Sequence, residues 1–233
     1  MALIGLQDVS IAFGGPPVLD HADLWIERGE RVCLLGRNGA GKSTLMQLLD
    51  GTMVPDAGDV VRQSGVTVAR LEQEVPEAID GTTFDVVAEG LGEAGRLLAR
   101  YHQASLRVGA DASDRALKEL ERLHQALDAA DAWQVQTRVE TVLLHLALDA
   151  DAPFASLSGG RKRQTLLARA LVREPGVLLL DEPTNHLDVE SIEWMEQFLI
   201  ERGVTLLFVT HDRAFLRRVA TRIVELDRGQ LVD

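Results

Sequence analysis

The sequence predicts an α/β fold in which helices cover a mixed β-sheet, and three observations carry that prediction. Short apolar runs rich in β-branched residues alternate with helical patterns along the 233 residues. The runs VLLLD and TLLFVT are continuously apolar, as strands of a parallel sheet buried on both faces are. Roughly the first sixty residues contain shorter strands of more alternating polarity, which indicates an antiparallel part of the sheet.

Five short apolar segments are the candidate strands of the parallel part. Each has the length and aliphatic content of a buried strand, and helical or glycine-containing stretches separate them. In chain order they are residues 31–35, 67–71, 177–180, 205–209 and 223–226.

The middle of the chain, residues 93–130, contains no strand pattern. We predict an inserted helical hairpin at residues 92–131, between a first part of the domain at 1–91 and a second part at 132–233. The turn composition GADAS ends at Ser113, a suitable helix N-cap. The pattern leaves open whether the hairpin is a projecting arm or lies flat on the domain. Its seam residues recur in steps of four and three, as in a coiled coil: Ala94, Leu98, Tyr101, Ser105 and Val108, then Ala116, Leu120, Leu123, Leu127 and Ala130.

Composition narrows the class of protein. The formal net charge of −12 argues against general nucleic-acid binding through a basic surface, so any contact with RNA or DNA must be local. No apolar run of about 18 residues could cross a bilayer, and no signal-peptide pattern follows Met1, so we expect a cytoplasmic protein. The single cysteine, Cys33, lies in the apolar run RVCLLG and is interpreted as a core residue.

The segment GRNGAGKST fits the phosphate-loop pattern G-x-x-x-x-G-K-[ST] and stands between a strand and a helix, as that loop must. Its glycines let the backbone turn N–H groups toward phosphate oxygens beside a helix N-terminus. Lys42 is predicted to reach the β- and γ-phosphates, and Ser43 to offer its hydroxyl to Mg²⁺. The predicted nucleotide-binding residues are Gly36, Asn38, Gly39, Ala40, Gly41, Lys42, Ser43 and Thr44.

Two further motifs follow apolar strands. In VLLLDEPTNHLD, Asp181 ends a buried strand, where its carboxylate can hold Mg²⁺. Glu182 follows at once and is the natural general base for an attacking water. In FVTHD, His211 stands immediately beyond a strand, and strand ends of such a sheet line the nucleotide cleft. We interpret the remaining histidines that carry no motif as structural or surface residues: His21, His102, His124 and His145.

The stretch LSGG, residues 157–160, opens a predicted helix with a hydroxyl and two glycines, which suits an anion held by backbone N–H groups. Together with the motifs above, with Gln73 in LEQE and with NHLD, it resembles the ATP-binding domain of the ABC family over practically the whole chain. The resemblance implies an ABC-type P-loop NTPase: a RecA-like core with an antiparallel β part, a helical subdomain, and ATP with Mg²⁺ as cofactors.

The resemblance also implies roles for further residues. Two ABC domains pack head to tail, so Ser158, Gly159 and Gly160 would contact the γ-phosphate held by the Lys42 of a partner domain. Phe13, in IAFGG, falls where the family stacks an aromatic ring on adenine, and a core phenylalanine is the alternative. The remaining implied roles are Gln73 as a contact to Mg²⁺ and water, Asp188 as a residue of the interface between domains, and His211 as the sensor of the γ-phosphate.

Within the family, NHLD and LSGGRKRQ resemble the ABC-F branch. The segments EPTNHLDVESIEWME and THDRAFLRRVATRIVELDRGQLV resemble the first domain of the Uup-type bacterial proteins of that branch. The resemblance implies action on the ribosome and RNA in translation, or on DNA or other structured nucleic acid, with no membrane domain. The branch carries two ATP-binding domains in tandem, so the partner of this single domain would be a second domain of a longer protein or a second copy. The mixed charge of the hairpin does not support strong RNA binding by the hairpin itself.

Three functions then compete. The first is an ATPase, hydrolysing ATP to ADP and phosphate, whose opening and closing drives an event on the ribosome or on nucleic acid. The second is the ATP-binding subunit of a membrane transporter, against which NHLD and the hairpin count. The third is a non-hydrolysing switch or scaffold, against which Glu182 and His211 count.

Overall fold

The computed structural model describes residues 2–71, 79–111, 113–185 and 187–233. The chain divides into two compact units, residues 1–73 with 175–233 (the sheet unit) and residues 74–174 (the helical unit). The predicted α/β class with a mixed sheet is confirmed. No helix within these described ranges is long and apolar enough to cross a membrane. In chain order the elements are β1 (Ala2–Ile11), β2 (Leu19–Glu27), β3 (Arg31–Leu35), α1 (Lys42–Asp50), β4 (Ala57–Arg62), β5 (Val68–Leu71), α2 (Thr83–Glu89), α3 (Gly92–Ala110), α4 (Asp114–Ala129), α5 (Trp133–His145), α6 (Gly159–Leu171), β6 (Val177–Asp181), α7 (Val189–Glu201), β7 (Leu206–Val209), α8 (Arg213–Val219), β8 (Arg222–Asp227) and β9 (Gln230–Val232).

Two sheets build the sheet unit. One has the order β2-β1-β4 and is antiparallel throughout, which confirms the antiparallel part predicted near the start of the chain. The other has the order β5-β6-β7-β3-β8-β9, and all of its neighbouring pairs are parallel except β8 with β9. Each of the five predicted strands is present, with ends that differ from the prediction by one residue at most.

The core of the sheet unit lies between these sheets and α1. Alternate residues of the parallel strands, such as Val177 and Leu179, join the buried cluster that also contains Leu45 and Leu48 of α1. The residues between them are buried on the opposite face, where Phe208 of β7 meets Phe215 of α8 edge to face at 5.6 Å. Burial on both faces explains why these strands are apolar without alternation.

In the helical unit, α3 and α4 occupy the region predicted as a hairpin and pack against each other. Ser113 stands at the N-cap of α4, although its side chain makes no capping hydrogen bond. Leu98, Leu123 and Leu127 of the predicted seam are buried. Ser105 and Ala130 are exposed, so the seam was wrong at those positions. At Ser105 the cause is that α3 also packs against α2, so its buried face turns toward Ala99 and Ala104. Ala130 is the C-cap residue that follows the last turn of α4.

Candidate nucleotide-binding site

The strand order of the parallel sheet assembles the site. Strands β6, β7 and β3 are adjacent and parallel, so their carboxyl ends lie at one edge of the sheet. The phosphate loop follows β3, Asp181 ends β6 with Glu182 directly after it, and His211 follows β7. Three motifs far apart in the sequence therefore meet at one edge, as expected for ligand sites of parallel sheets.

The phosphate loop is held tightly against the rest of the unit. Gly41 has a φ of 109°, and a Cβ atom there would lie 2.3 Å from Cγ1 of Val18. At Gly36, with a φ of 153°, a Cβ would lie 2.7 Å from the carbonyl oxygen of Leu226. The ammonium of Lys42, the first residue of α1, donates to the carbonyl oxygens of Gly36 at 2.7 Å and Arg37 at 3.1 Å. Only glycine fits these two positions, and the lysine head lies over the loop it is expected to serve.

The carboxylate of Asp181 forms the other side of the site. Its Oδ2 accepts a hydrogen bond from the Ser43 hydroxyl at 3.4 Å. The same oxygen lies 3.8 Å from Nη2 of Arg70, whose Nη1 donates to Asp50 Oδ2 at 3.3 Å. Mg²⁺ is commonly bound by one or two carboxylates together with substrate phosphates. The oxygens of Ser43 and Asp181 fit such a role, beside the loop amides and Lys42.

Glu182 is buried, and His211 contacts both oxygens of its carboxylate. The backbone N–H of His211 donates to Glu182 Oε2 at 3.2 Å, and His211 Nε2 lies 3.3 Å from Oε1. Glu182 also adopts a φ of 48°, a left-handed conformation that costs a non-glycine residue about 1 kcal/mol or more. Its backbone thus bends where β6 ends, and the carboxylate points toward His211, the second residue after β7. The imidazole of His211 is 71% exposed, so it is free to face a bound ligand.

The thiol of Cys33, in the middle of β3, has its pKa shifted by burial and by the charge of Glu182. Burial raises the pKa of Cys33 to about 12, and the negative charge of Glu182 adds to that shift. Cys33 is therefore a neutral core residue at any physiological pH, in agreement with its interpretation from the sequence.

A cavity of about 590 Å³ lies over this edge of the sheet unit. Its volume falls within the range of small-molecule and cofactor sites. Phe13 stands at its rim with 61% of its surface exposed, which excludes the alternative of a core phenylalanine. The residues around the cavity are Phe13, Val18, Asn38, Gly39, Gly41, Lys42, Ser43, Thr44, Asp181, Glu182, Asn185, Val209 and His211.

Three of these residues had not been predicted: Val18, Asn185 and Val209. Asn185 lies in EPTNHLD, three residues after Glu182, and that motif could have indicated it. No sequence pattern indicated Val18, because its close approach to Gly41 depends on tertiary packing.

The other predicted residues lie elsewhere. Ser158 is the N-cap of α6 in the helical unit, where its hydroxyl accepts from Arg161 N–H at 3.3 Å, and Gly159 and Gly160 begin that helix. Asp188 caps α7 in the sheet unit, accepting from Ser191 N–H at 2.7 Å. Ala40 and Gly36 belong to the phosphate loop but not to the lining of the cavity. Gln73 lies outside the described residues.

Comparison with known proteins gives the class of this protein. The sequence profile of a family described as ABC transporter matches residues 19–185, more than half of the chain. Solved structures agree in fold. An ATP-binding cassette of an ABC transporter has a TM-score of 0.75 at 18% identity, and the match covers 100% of this chain and 90% of the other. The chain belongs to the ABC transporter family, of which it is an ATP-binding domain.

Curated relatives give a closer similarity. The chain is 50% identical over 232 residues to the ATP-binding protein Uup of Haemophilus influenzae and 48% identical to that of Escherichia coli, covering 100% of this chain in both cases. It is 40% identical to the energy-dependent translational throttle protein EttA of Mycobacterium tuberculosis, over 97% of this chain. These similarities confirm the predicted resemblance to Uup-type proteins. The chain spans only 36% of the length of the two Uup proteins and 40% of that of EttA.

Proposed function

We propose that this domain binds ATP with Mg²⁺ and hydrolyses it to ADP and phosphate. The observation that carries the proposal is the position of the buried Glu182 carboxylate beside His211, at the same cavity as Lys42 and Ser43. A carboxylate there can orient and polarise a water for attack on the γ-phosphate. Lys42 and the loop N–H groups would stabilise the charge of the phosphates, and His211 would contact the γ-phosphate.

Hydrolysis is proposed to need two domains packed head to tail. Ser158 is exposed at the start of α6, with the first-turn N–H groups of that helix around it. A helix N-terminus of this kind attracts phosphate. In the proposed complex Ser158, Gly159 and Gly160 cover the γ-phosphate bound by the partner, with Asp188 at the interface and Gln73 contacting Mg²⁺. The partner is a second copy or a second ATP-binding domain, since the relatives are more than twice as long as this chain.

Release of phosphate from ATP, followed over a wide range of protein concentration, tests both parts of this proposal. We expect activity per molecule to rise with concentration as head-to-tail pairs form. An inactive protein at every concentration would contradict hydrolysis by this chain, whereas constant activity from a species that stays monomeric would contradict only the shared site.

The proposed target of the ATPase cycle is the ribosome. The support is the 40% identity to a protein whose name places it in translation. The net charge of −12 argues against general binding to polyanions, so the contact with ribosomal RNA must be local. Sedimentation of the Glu182→Gln variant with ribosomes in ATP, against a competing structured DNA, distinguishes the two targets. If added DNA releases the variant from the sedimented ribosomes and added free ribosomes do not, structured nucleic acid is favoured over the ribosome as the target.

The ATP-binding subunit of a membrane transporter is the second candidate, favoured by the description of the matching family and of the similar structures. Co-purification of the natural full-length protein with an integral membrane protein would support it. Recovery of the protein with ribosomes from the soluble fraction would count against it.

A further inference from the structure

His102 of α3 lies between two carboxylates. Its Nδ1 is 3.0 Å from Asp85 Oδ1 and its Nε2 is 3.1 Å from Asp151 Oδ1. A neutral imidazole has a single N–H and could donate to only one of these oxygens, whereas the imidazolium ion donates to both. The ring is only 18% exposed and contacts the Phe84 ring, with 4.3 Å between ring centroids and a tilt of 31° between the ring planes. The surroundings therefore fit the positively charged form.

The charges around the ring come from two other segments. Asp85 belongs to α2, and Asp151 belongs to the segment 149–153, here called the aspartate turn. The side chain of Gln103, also in α3, contacts Asp85. The hydroxyl of Thr82, the N-cap of α2, lies 3.5 Å from His102 Nδ1. Burial lowers the pKa of His102, but the hydrogen bonds and charges of Asp85 and Asp151 outweigh burial and raise it above its ordinary value.

Asp85 is in turn fixed to the start of α2. Its Oδ2 accepts from the backbone N–H of Thr82 at 2.8 Å, and its own N–H donates to the Thr82 hydroxyl, which completes a capping box. Burial raises the pKa of Asp85, and the hydrogen bonds from His102, Thr82 and Gln103 bring it below its ordinary value. The carboxylate is thus a charged, buried anchor.

The aspartate turn is joined to the same end of α2 through the backbone. Thr83 N–H donates to Ala152 at 2.9 Å, Phe84 N–H donates to Ala150 at 2.9 Å, and Phe154 N–H donates to Gly81 at 3.0 Å. A short helix, Phe154–Ser156, follows and leads to Ser158. Asp151 is therefore only seven residues from Ser158 at the start of α6, along a segment whose first part is hydrogen-bonded to the start of α2.

We propose that His102, as a positively charged bridge, is a positioning residue that couples the first helix of the hairpin to Ser158. The three elements that meet at the ring are α3, the capped start of α2 and the aspartate turn, whose Asp151 lies seven residues before Ser158. A partner that displaces the hairpin would change the bridge and with it the position of LSGG. Whether that coupling affects turnover rests on the proposed ATPase function, but the bridge itself does not.

Amide hydrogen exchange of residues 150–158 in the whole chain tests the bridge without using ATP. In His102→Gln, which donates to one carboxylate and carries no charge, we expect exchange at pH 6 to be about tenfold faster than in the wild type, after correction for intrinsic rates. This is the scale of losing one hydrogen bond to a charged group. The wild type should approach the variant as pH rises, because a bridge with a raised pKa contributes fully below the ordinary histidine pKa of about 6.5 and is lost as pH passes through the raised value.

Asp151→Asn should accelerate exchange in the same residues and lower the pKa of His102 measured from its ring proton by NMR. Asp149→Asn is the matched control, since it keeps the turn hydrogen bond from Asp151 N–H and does not contact the ring. The proposal is overturned if His102→Gln leaves exchange at 150–158 unchanged at pH 6, or if Asp149→Asn and Asp151→Asn have the same effect. A wild type that exchanges as expected but does not hydrolyse ATP would refute the proposed function and leave the bridge intact.

Discussion

His211 contacts the Glu182 carboxylate through both its ring and its backbone, with Nε2 at 3.3 Å from Oε1 and the backbone N–H donating to Oε2 at 3.2 Å. This double contact fixes the direction of the carboxylate at the end of β6. Glu182→Gln keeps the size of the side chain and an oxygen that can accept from the His211 N–H, but it removes the base, so phosphate release should fall by about 10² to 10⁴. ATP binding, measured by calorimetry, should remain within about threefold of the wild type, because the change leaves the phosphate-loop contacts in place.

Glu190→Gln, an exposed change in α7, is the matched control and should leave turnover unaltered. The Glu182→Gln variant should also accumulate as a dimer with ATP and Mg²⁺ in light scattering, and return to monomer with ADP, because the γ-phosphate that favours the closed pair is retained. Hydrolysis at the wild-type rate would refute the proposed role of Glu182.

The ammonium of Lys42 lies over the phosphate loop. Lys42→Ala removes hydrogen bonds from a charged group, a loss of roughly 1.5 to 3 kcal/mol, so the Kd for ATP should rise by about 10- to 100-fold. Calorimetry measures it, with the exposed hairpin substitution Lys118→Ala as the control for loss of one positive charge. Equal affinity for ATP in Lys42→Ala and in the control would refute the assignment of this segment as a phosphate loop.

Ser158 is exposed, so a large residue there can be accommodated within one chain. Ser158→Arg should reduce turnover by about 10²-fold or more, because the side chain would occupy the place of the partner's phosphate, a contact used in the transition state. ATP affinity of the monomer should be unchanged. Ser158→Ala separates this effect from the loss of the N-cap, which costs α6 about 1 kcal/mol, and thermal unfolding of both variants gives that cost. Weaker ATP binding by the monomeric Ser158→Arg protein would place LSGG at its own nucleotide instead.

Arg70 lies between the carboxylates of Asp50 and Asp181, and its side chain is 19% exposed. Arg70→Met leaves both carboxylates, which are 10% and 11% exposed, without this counter-ion. The free energy of unfolding should therefore fall by about 3 kcal/mol. Urea unfolding followed by circular dichroism measures the change. Arg62→Met, which removes an arginine that donates to the Leu49 carbonyl at the end of α1, is the control for loss of a long side chain. A smaller loss for Arg70 than for Arg62 would show that the ion pairs contribute little.

Cys33 should be unreactive in the folded protein. Burial and the nearby Glu182 charge raise its pKa to about 12, so the thiolate that reacts with alkylating agents is almost absent at pH 8. Alkylation followed by mass spectrometry should be complete within minutes in denaturant and slower by on the order of 10³-fold in the native protein. Rapid labelling of the native chain would contradict the burial of β3.

The sequence predicted those features whose cause is local. A phosphate loop requires glycine where its backbone has a positive φ and a lysine where α1 begins, so GRNGAGKST could be recognised from the sequence. Strands buried on both faces are continuously apolar, and for that reason all five were recognised within one residue at their ends. The hairpin helices were recognisable from their period, but the exposed Ser105 was not, because the buried face of α3 depends on α2 as well as on α4.

Tertiary structure alone decided which distant residues meet. The order β6-β7-β3, which no single segment encodes, places Glu182 beside His211 and Asp181 beside Ser43. His102 shows the same limit: in sequence it is one histidine in a polar helix, and only the folded chain places it between carboxylates from two other segments. A motif made of neighbouring residues can be recognised from the sequence. Charge pairs between different elements depend on packing, which minimises the free energy of the whole chain and not of any window of it.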